Sequence, residues 1–270
     1  MSVRPATLAV SVELCLILTG LALLWHYVVS PAARASRPAP RLSAWTISAA
    51  DFMRFLLSVV CCMLLGNFAA TLLLKLRPLA GDSKVMFLTA SSHAGMLAGI
   101  VAFKLTVERV KLASAALRLN DLVDGAIAFL IALPVVTATN IAWPWLLKTC
   151  GVPLEKQDLV GMFAHARSPL LLALMIALAT VTAPATEELV FRAGFFRFLR
   201  TRIPRWAALV GPSCLFAALH QNLATFAPLV VLGVLFSLAY ERSGRIATTI
   251  VAHALFNLHT IVLIFAGVGV

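Results

Sequence analysis

Charge is what this sequence has least of. Only 12% of its 270 residues are Asp, Glu, Lys or Arg, while 61% are hydrophobic and the mean hydropathy is +0.96. That balance excludes an ordinary soluble domain. Cysteine is scarce as well. Cys15, Cys61, Cys62, Cys150 and Cys214 are odd in number and lie in or beside apolar runs. Their spacing suits neither a metal knuckle nor a disulfide framework. The chain has no internal repeat and no low-complexity tract. It also lacks an HExxH helix and any Ser or Cys in a nucleophile elbow, so the peptidase and hydrolase classes with those signatures are disfavoured.

What the chain has is apolar length. A helix needs about 20 apolar residues to cross a bilayer core roughly 30 Å thick. Eight runs approach that length: roughly 6–29, 52–76, 85–107, 122–147, 169–199, 206–221, 224–240 and 246–268, with 206–221 and 224–240 the shortest. Little chain remains for a soluble domain. The predicted fold is therefore all-α: one polytopic transmembrane helix bundle of about eight spans, with a polar intramembrane cavity. The first run resembles a signal peptide, since Arg4 precedes it and "AARA" follows. It is long for a leader and contains Glu13, so we read it as a retained anchor.

The net charge of +11 fits a membrane better than a nucleic acid, because Lys and Arg collect in cytoplasmic loops. With eight spans, the odd loops hold Arg34, Arg37, Arg41 and Arg54; Lys104, Arg109, Lys111 and Arg118; Arg197, Arg200, Arg202 and Arg205; and Arg242 and Arg245. Arg4, Lys75, Arg77, Lys84, Lys148, Lys156 and Arg167, half that number, fall on the other side. The bias predicts a multi-pass protein of the cell membrane with both termini outside. The stretch 104–121 reads as a surface helix with basic residues towards lipid headgroups. The stretch 148–169 reads as the longest polar connection.

Residues 1–168 read as scaffold. Glu13, His93 and Asn140 are lone polar groups there, of the kind that bond a neighbouring helix, and Pro134 is a kinking residue. From 169 onward, polar groups enter the apolar runs three times. The first is "EELVFR", with Glu187, Glu188 and Arg192. A charge at the bilayer centre costs on the order of 2.5–3.5 kcal/mol. Glu188 and Arg192 stand four apart and can pair on one helical face. Glu187 is turned about 100° away, so it must face water, a cation or a histidine. Pro184 can kink the helix and admit water. The second is "FAALH", Phe216 to His220. The third is "HALFN", where His253 and Asn257 share a face. His259 faces elsewhere and reads as incidental.

One acid pair, two histidines and an amide on three spans suit a buried hydrolytic site. Two chemistries fit. In one, Glu187, His220 and His253 bind a divalent metal such as zinc, which acidifies water. In the other, Glu187 helped by His220 deprotonates water, and His253 and Asn257 donate to the oxyanion. Both end in hydrolysis of an acyl bond, most plausibly a peptide.

The order EExxxR, FxxxH, HxxxN resembles the CAAX protease and bacteriocin-processing (CPBP) family, also called abortive-infection-type intramembrane proteases. The likeness covers about 169–260 and includes "LGVLFSLAYERSGRIATTIVAHALFN" (232–257). It implies a catalytic core within 169–270. It also implies endopeptidase action on a membrane-anchored peptide or protein, in some members a prenylated CAAX tail, from a cavity open to the cytoplasm or to lipid. By the same resemblance Glu187 and His220 activate water, His253 and Asn257 hold the oxyanion, and Glu188 and Arg192 shape the site. A transporter with intramembrane proton relays, and a non-catalytic maturation or immunity protein, are the alternatives. The lack of inverted polar repeats counts against the first, and the intact motifs count against the second.

Overall fold

A computed structural model describes residues 5–36, 39–107, 113–154, 161–163 and 168–268. Among these residues there is no β-strand. Seven helices are long and apolar enough to cross a membrane: α1 (Thr7–Val29), α2 (Ala49–Leu76), α3 (Gly81–Thr106), α4 (Leu119–Thr149), α5 (Pro169–Leu199), α7 (Leu223–Ser243) and α8 (Ile246–Ala266). Between α5 and α7 lies α6 (Arg205–Leu219), which has 15 residues and spans about 22 Å at 1.5 Å per residue. The eight runs of the sequence thus become eight helices, one of them shorter than a bilayer core.

The helix read over 104–121 is not borne out in its described part. α3 ends at Thr106 and residues 113–118 are irregular; residues 108–112, with Arg109 and Lys111, lie outside the described residues. Of the polar connection 148–169, residues 155–160 and 164–167 likewise lie outside them.

In lipid, helices gain nothing from burying oil against oil, so they associate through close packing and interhelical hydrogen bonds. The α2–α3 seam illustrates both. A side chain on Gly95 or Gly99 would come within 2.5 Å of the carbonyl oxygen of Cys62 or Ser58. Asn67 and Ser92 exchange hydrogen bonds of 2.9 and 3.1 Å across the same seam. Gly20 seats α1 against Leu130 and Pro134 of α4, and Gly125 seats α4 against Val251 of α8. Buried Asp121 at the start of α4 pairs with Arg245 just before α8. Glu13 on α1 pairs with His259 on α8, so His259, which the pattern alone left without a role, ties α1 to the bundle.

An extended strap, residues 39–48, precedes α2 and crosses the end of α5. Its backbone carbonyls are taken by arginines. Arg200 donates to Leu42, Arg197 to Ser43, and Arg202 to Trp45 and Ile47. Leu42 N–H donates to the Glu241 carbonyl at 3.2 Å, and the Glu241 carboxylate pairs with Arg200 and Arg205. Gly244, at φ +70°, ends α7, and a side chain there would strike Arg41. Below the strap Trp45, Phe52, Phe55, Phe191, Phe198 and Phe216 form one buried aromatic cluster, so the strap is packed into the same core as the second motif.

Candidate active site

The helix that carries the acid pair is not a uniform α-helix. α5 widens to π-turns at Leu178–Thr182 and Glu188–Phe196, on either side of the α-helical turn Ala183–Glu187. Single π-turns inside α-helices gather at functional sites, and Pro184 supplies a cause here. Ala183 N–H donates to Leu178 O, five residues back. The next donor in that register would be Pro184 to Ala179 O, and proline has no N–H. Asn257 from α8 fills the gap: its Nδ2 donates to Ala179 O at 2.8 Å.

The wide turn that follows presents the charges. Glu188 and Arg192 are fully buried, at 0% and 1% exposure. Arg192 Nη1 lies 2.9 Å from Glu188 Oε1, an ion-pair contact outside hydrogen-bond angles. Its guanidinium also sits over two rings, 4.5 Å from the centroid of Phe216 and 5.6 Å from that of Phe236. Aromatic faces attract a cation, which compensates for the hydrogen bonds that both Nη atoms lack among the described residues. The predicted pairing of Glu188 with Arg192 is therefore made.

Glu188 Oε1 has a second neighbour, His253 Nδ1 at 2.9 Å. A carboxylate only accepts, so Nδ1 carries the hydrogen and donates. This fixes the ring and turns Nε2 towards Glu187, whose Oε2 is 3.7 Å away. Of the three partners left open for Glu187, water, a cation or a histidine, the structure places a histidine, His253, beside it. Neither Glu187 nor His253 Nε2 is sealed off: the Glu187 side chain keeps 18% exposure, and neither group is among the buried polar atoms lacking a partner. A gap of 3.7 Å between an acceptor and a ring nitrogen is beyond direct hydrogen-bond reach, and a water beside the pair can contact both groups.

His220 and Asn257 stand differently. His220 ends α6, is exposed, and donates from Nδ1 to Phe216 O at 2.8 Å. Phe216 lies between the two imidazoles, with ring centroids 4.7 Å from His220 and 6.1 Å from His253. The ring contact with His253 is thus made by Phe216, a turn before His220. Gln221 follows at φ +51°, a left-handed conformation uncommon for a residue with a side chain. Asn257 is held by the Ala179 carbonyl.

A zinc site needs three or four convergent ligands. Among the described residues no three His, Cys, Asp or Glu side chains gather closely enough to hold a metal ion. Of the proposed set, Glu187 and His253 are neighbours, His253 Nδ1 is engaged by Glu188, and His220 packs on the Phe216 ring. The arrangement does not fit a bound metal, and no step is derived through one.

Two participants escaped the motif reading. Thr186, fully buried, precedes Glu187, and buried His93 on α3 lies with Nδ1 2.6 Å from its hydroxyl. The only sequence signal was a histidine inside the apolar run of α3.

No curated protein and no solved structure matches the chain. Residues 169–259, from the start of α5 into α8, match the model of the Type II CAAX prenyl endopeptidase Rce1-like family, the family of intramembrane endopeptidases that the three motifs resemble.

Proposed function

We propose that this multi-pass membrane protein hydrolyses a peptide bond of a membrane-anchored substrate with water activated by Glu187. The family match supports an intramembrane endopeptidase in general. The observation that carries the residue assignment is the open pair of Glu187 Oε2 and His253 Nε2, 3.7 Å apart, backed by the buried Glu188–Arg192 pair.

Water held at Glu187 gives that carboxylate a proton as its oxygen attacks the scissile carbonyl carbon. His253, carrying a proton on each ring nitrogen with Nδ1–H on Glu188, donates Nε2–H to the developing oxyanion, and the Glu188 carboxylate balances the imidazolium charge. The tetrahedral intermediate collapses as the carbon–nitrogen bond breaks, and Glu187 returns its proton to the leaving amine. Asn257 has a second amide hydrogen for the oxyanion, although its first is engaged by Ala179. His220, exposed beyond Phe216, assists from Nε2 once substrate brings the reacting atoms within its reach. Residues 169–270 form the catalytic core and 1–168 the scaffold. The site faces the cytoplasm, on the side of the arginine-rich end of α5.

Comparative profiling of protein termini in cells carrying wild type or Glu187→Gln tests the base. Termini that only wild type makes support it, and equal profiles refute it. A tight chelator leaves cleavage unchanged if no essential exchangeable metal takes part.

A further inference from the structure

The match to the endopeptidase family begins at Pro169, but one imidazole at the acid pair comes from outside it. His93 is 7% exposed, and Nδ1 lies 2.6 Å from Thr186 Oγ1. Thr186 has one hydroxyl hydrogen, directed at the carbonyls of Thr182 and Ala183, 3.0 and 2.9 Å away. The tautomer that keeps a hydrogen on the carbonyl contacts has the oxygen accept from the histidine, with the proton on Nδ1. Nε2 then bears the ring's lone pair. It has no partner among the described residues, yet it is not among the sealed polar atoms.

A packing contact between helices accounts for the Nδ1 bond and leaves Nε2 unexplained. α3 packs directly on the turn Ala183–Glu187, and the residue that His93 touches, Thr186, immediately precedes Glu187. Among the described residues, Glu188 and Arg192 on its own helix and His253 from α8 are the other ionisable groups in contact with the acid pair. Each of those three has a charged or hydrogen-bonded partner within the cluster, so His93 Nε2 is an uncommitted acceptor there.

We propose that His93 is a further catalytic residue, whose Nε2 accepts a hydrogen bond from the water that Glu187 deprotonates and whose Nδ1 holds Thr186, and with it the turn carrying Glu187. This rests on Glu187 being the base. One water hydrogen goes to Glu187 and the other points at His93, which aims the oxygen lone pair at the carbonyl carbon. No proton is transferred to His93 and none is lost from the cycle. The hydrolytic centre then includes the first half of the chain, which is more than a scaffold.

Two amide variants separate the ring's two ends. His93→Asn places an N–H near Nδ1 and keeps the Thr186 bond, but offers nothing near Nε2. His93→Gln places its amide near Nε2 and gives up the Thr186 bond. Cells carrying wild type, Glu187→Gln, His93→Asn and His93→Gln are profiled for new protein termini. A synthetic peptide spanning a terminus so identified is then turned over by each variant in proteoliposomes. We expect kcat to fall about tenfold or more in His93→Asn with KM within about twofold, since misplacing a reacting atom by 1 Å can cost about 100-fold. His93→Gln should keep more activity than His93→Asn. Wild-type turnover in His93→Asn, or the reverse order of the two variants, overturns the inference and leaves Glu187 as base untouched. The order remains readable if one variant is less stable, because each is normalised to its folded fraction. Wild-type termini in Glu187→Gln overturn the peptidase reading instead, and this inference with it.

Discussion

Asn257 Nδ2 donates to the carbonyl of Ala179, the acceptor that Pro184 leaves without a backbone donor. A residue that pattern reasoning assigns to catalysis thus also mends a break in the helix bearing the catalytic acid. In the membrane no solvent takes over such a carbonyl. Asn257→Ala should cost about 1–3 kcal/mol, the range for leaving a buried polar group unsatisfied. Pro184→Ala returns an N–H to the turn. In that background Asn257→Ala should cost less, a coupling readable in a double-mutant cycle of thermal unfolding in detergent. Equal cost in both backgrounds would mean that the amide does not compensate for the proline.

Glu187 and Glu188 are neighbours in sequence and opposites in environment. Glu188 is fully buried, with Arg192 and His253 both at Oε1, whereas Glu187 keeps 18% of its side chain exposed and its carboxylate makes no hydrogen bond among the described residues. Glu187→Gln should therefore abolish cleavage and leave thermal stability near that of wild type. Glu188→Gln should lose both, because breaking one side of a buried ion pair costs about 3–5 kcal/mol and strands Arg192. Measuring stability and turnover on the same preparations separates the two. A Glu188→Gln protein as stable as Glu187→Gln would show that the rings of Phe216 and Phe236 suffice for the guanidinium.

The distinction between these two acids was legible before any coordinates. Helical spacing put Glu188 with Arg192 and turned Glu187 away from that pair, towards water, a cation or a histidine; the structure places a histidine there. The identity of that histidine was not legible, because motif order says nothing of depth. His253 lies seven residues into α8, and the α6 ring that packs against it is Phe216, not His220. The π-turns were equally hidden. A pattern of period 3.6 does not register one extra residue in a turn, although Pro184 marked the place. The arginines at 197, 200 and 202 read as a cytoplasmic charge cluster, and their bonds to the strap could not be foreseen from charge alone. Helix existence was plain throughout, since eight apolar runs leave no other fold for a bilayer.

Gly99 lets α2 and α3 touch. A Cβ there would lie 2.5 Å from Ser58 O and 2.6 Å from Val59 Cα, both backbone atoms that cannot swing aside. Gly99→Val should force the helices apart at a cost of about 1–3 kcal/mol or more, as overpacking does. His93 lies six residues earlier on the same helix. If α3 moves as a rigid rod, the bond to Thr186 stretches and cleavage falls with stability. Gly81→Ala on that helix meets no atom within 4 Å, but its φ of +53° makes it a strained control. Gly211→Ala, with nothing within 4 Å and no such φ, is the cleaner comparison and should leave both stability and cleavage unchanged.

Arg202 distinguishes charge from geometry at the end of α5. Its Nη1 donates to Phe198 O at 2.7 Å and to Trp45 O at 3.3 Å, its Nη2 donates to Ile47 O, and its guanidinium lies 3.9 Å from the centroid of Phe198. Arg202→Lys keeps the positive charge, so the orientation of the chain in the membrane should not change. It removes the planar fork, and one ammonium cannot serve carbonyls on both the strap and the helix as a guanidinium does. We expect a loss of about 1–3 kcal/mol in thermal stability and faster proteolysis within 39–48, with cysteine-accessibility mapping of the loops unchanged. An inverted accessibility pattern would assign this arginine to topology; unchanged proteolysis and stability would mean that Arg197 and Arg200 hold the strap without it.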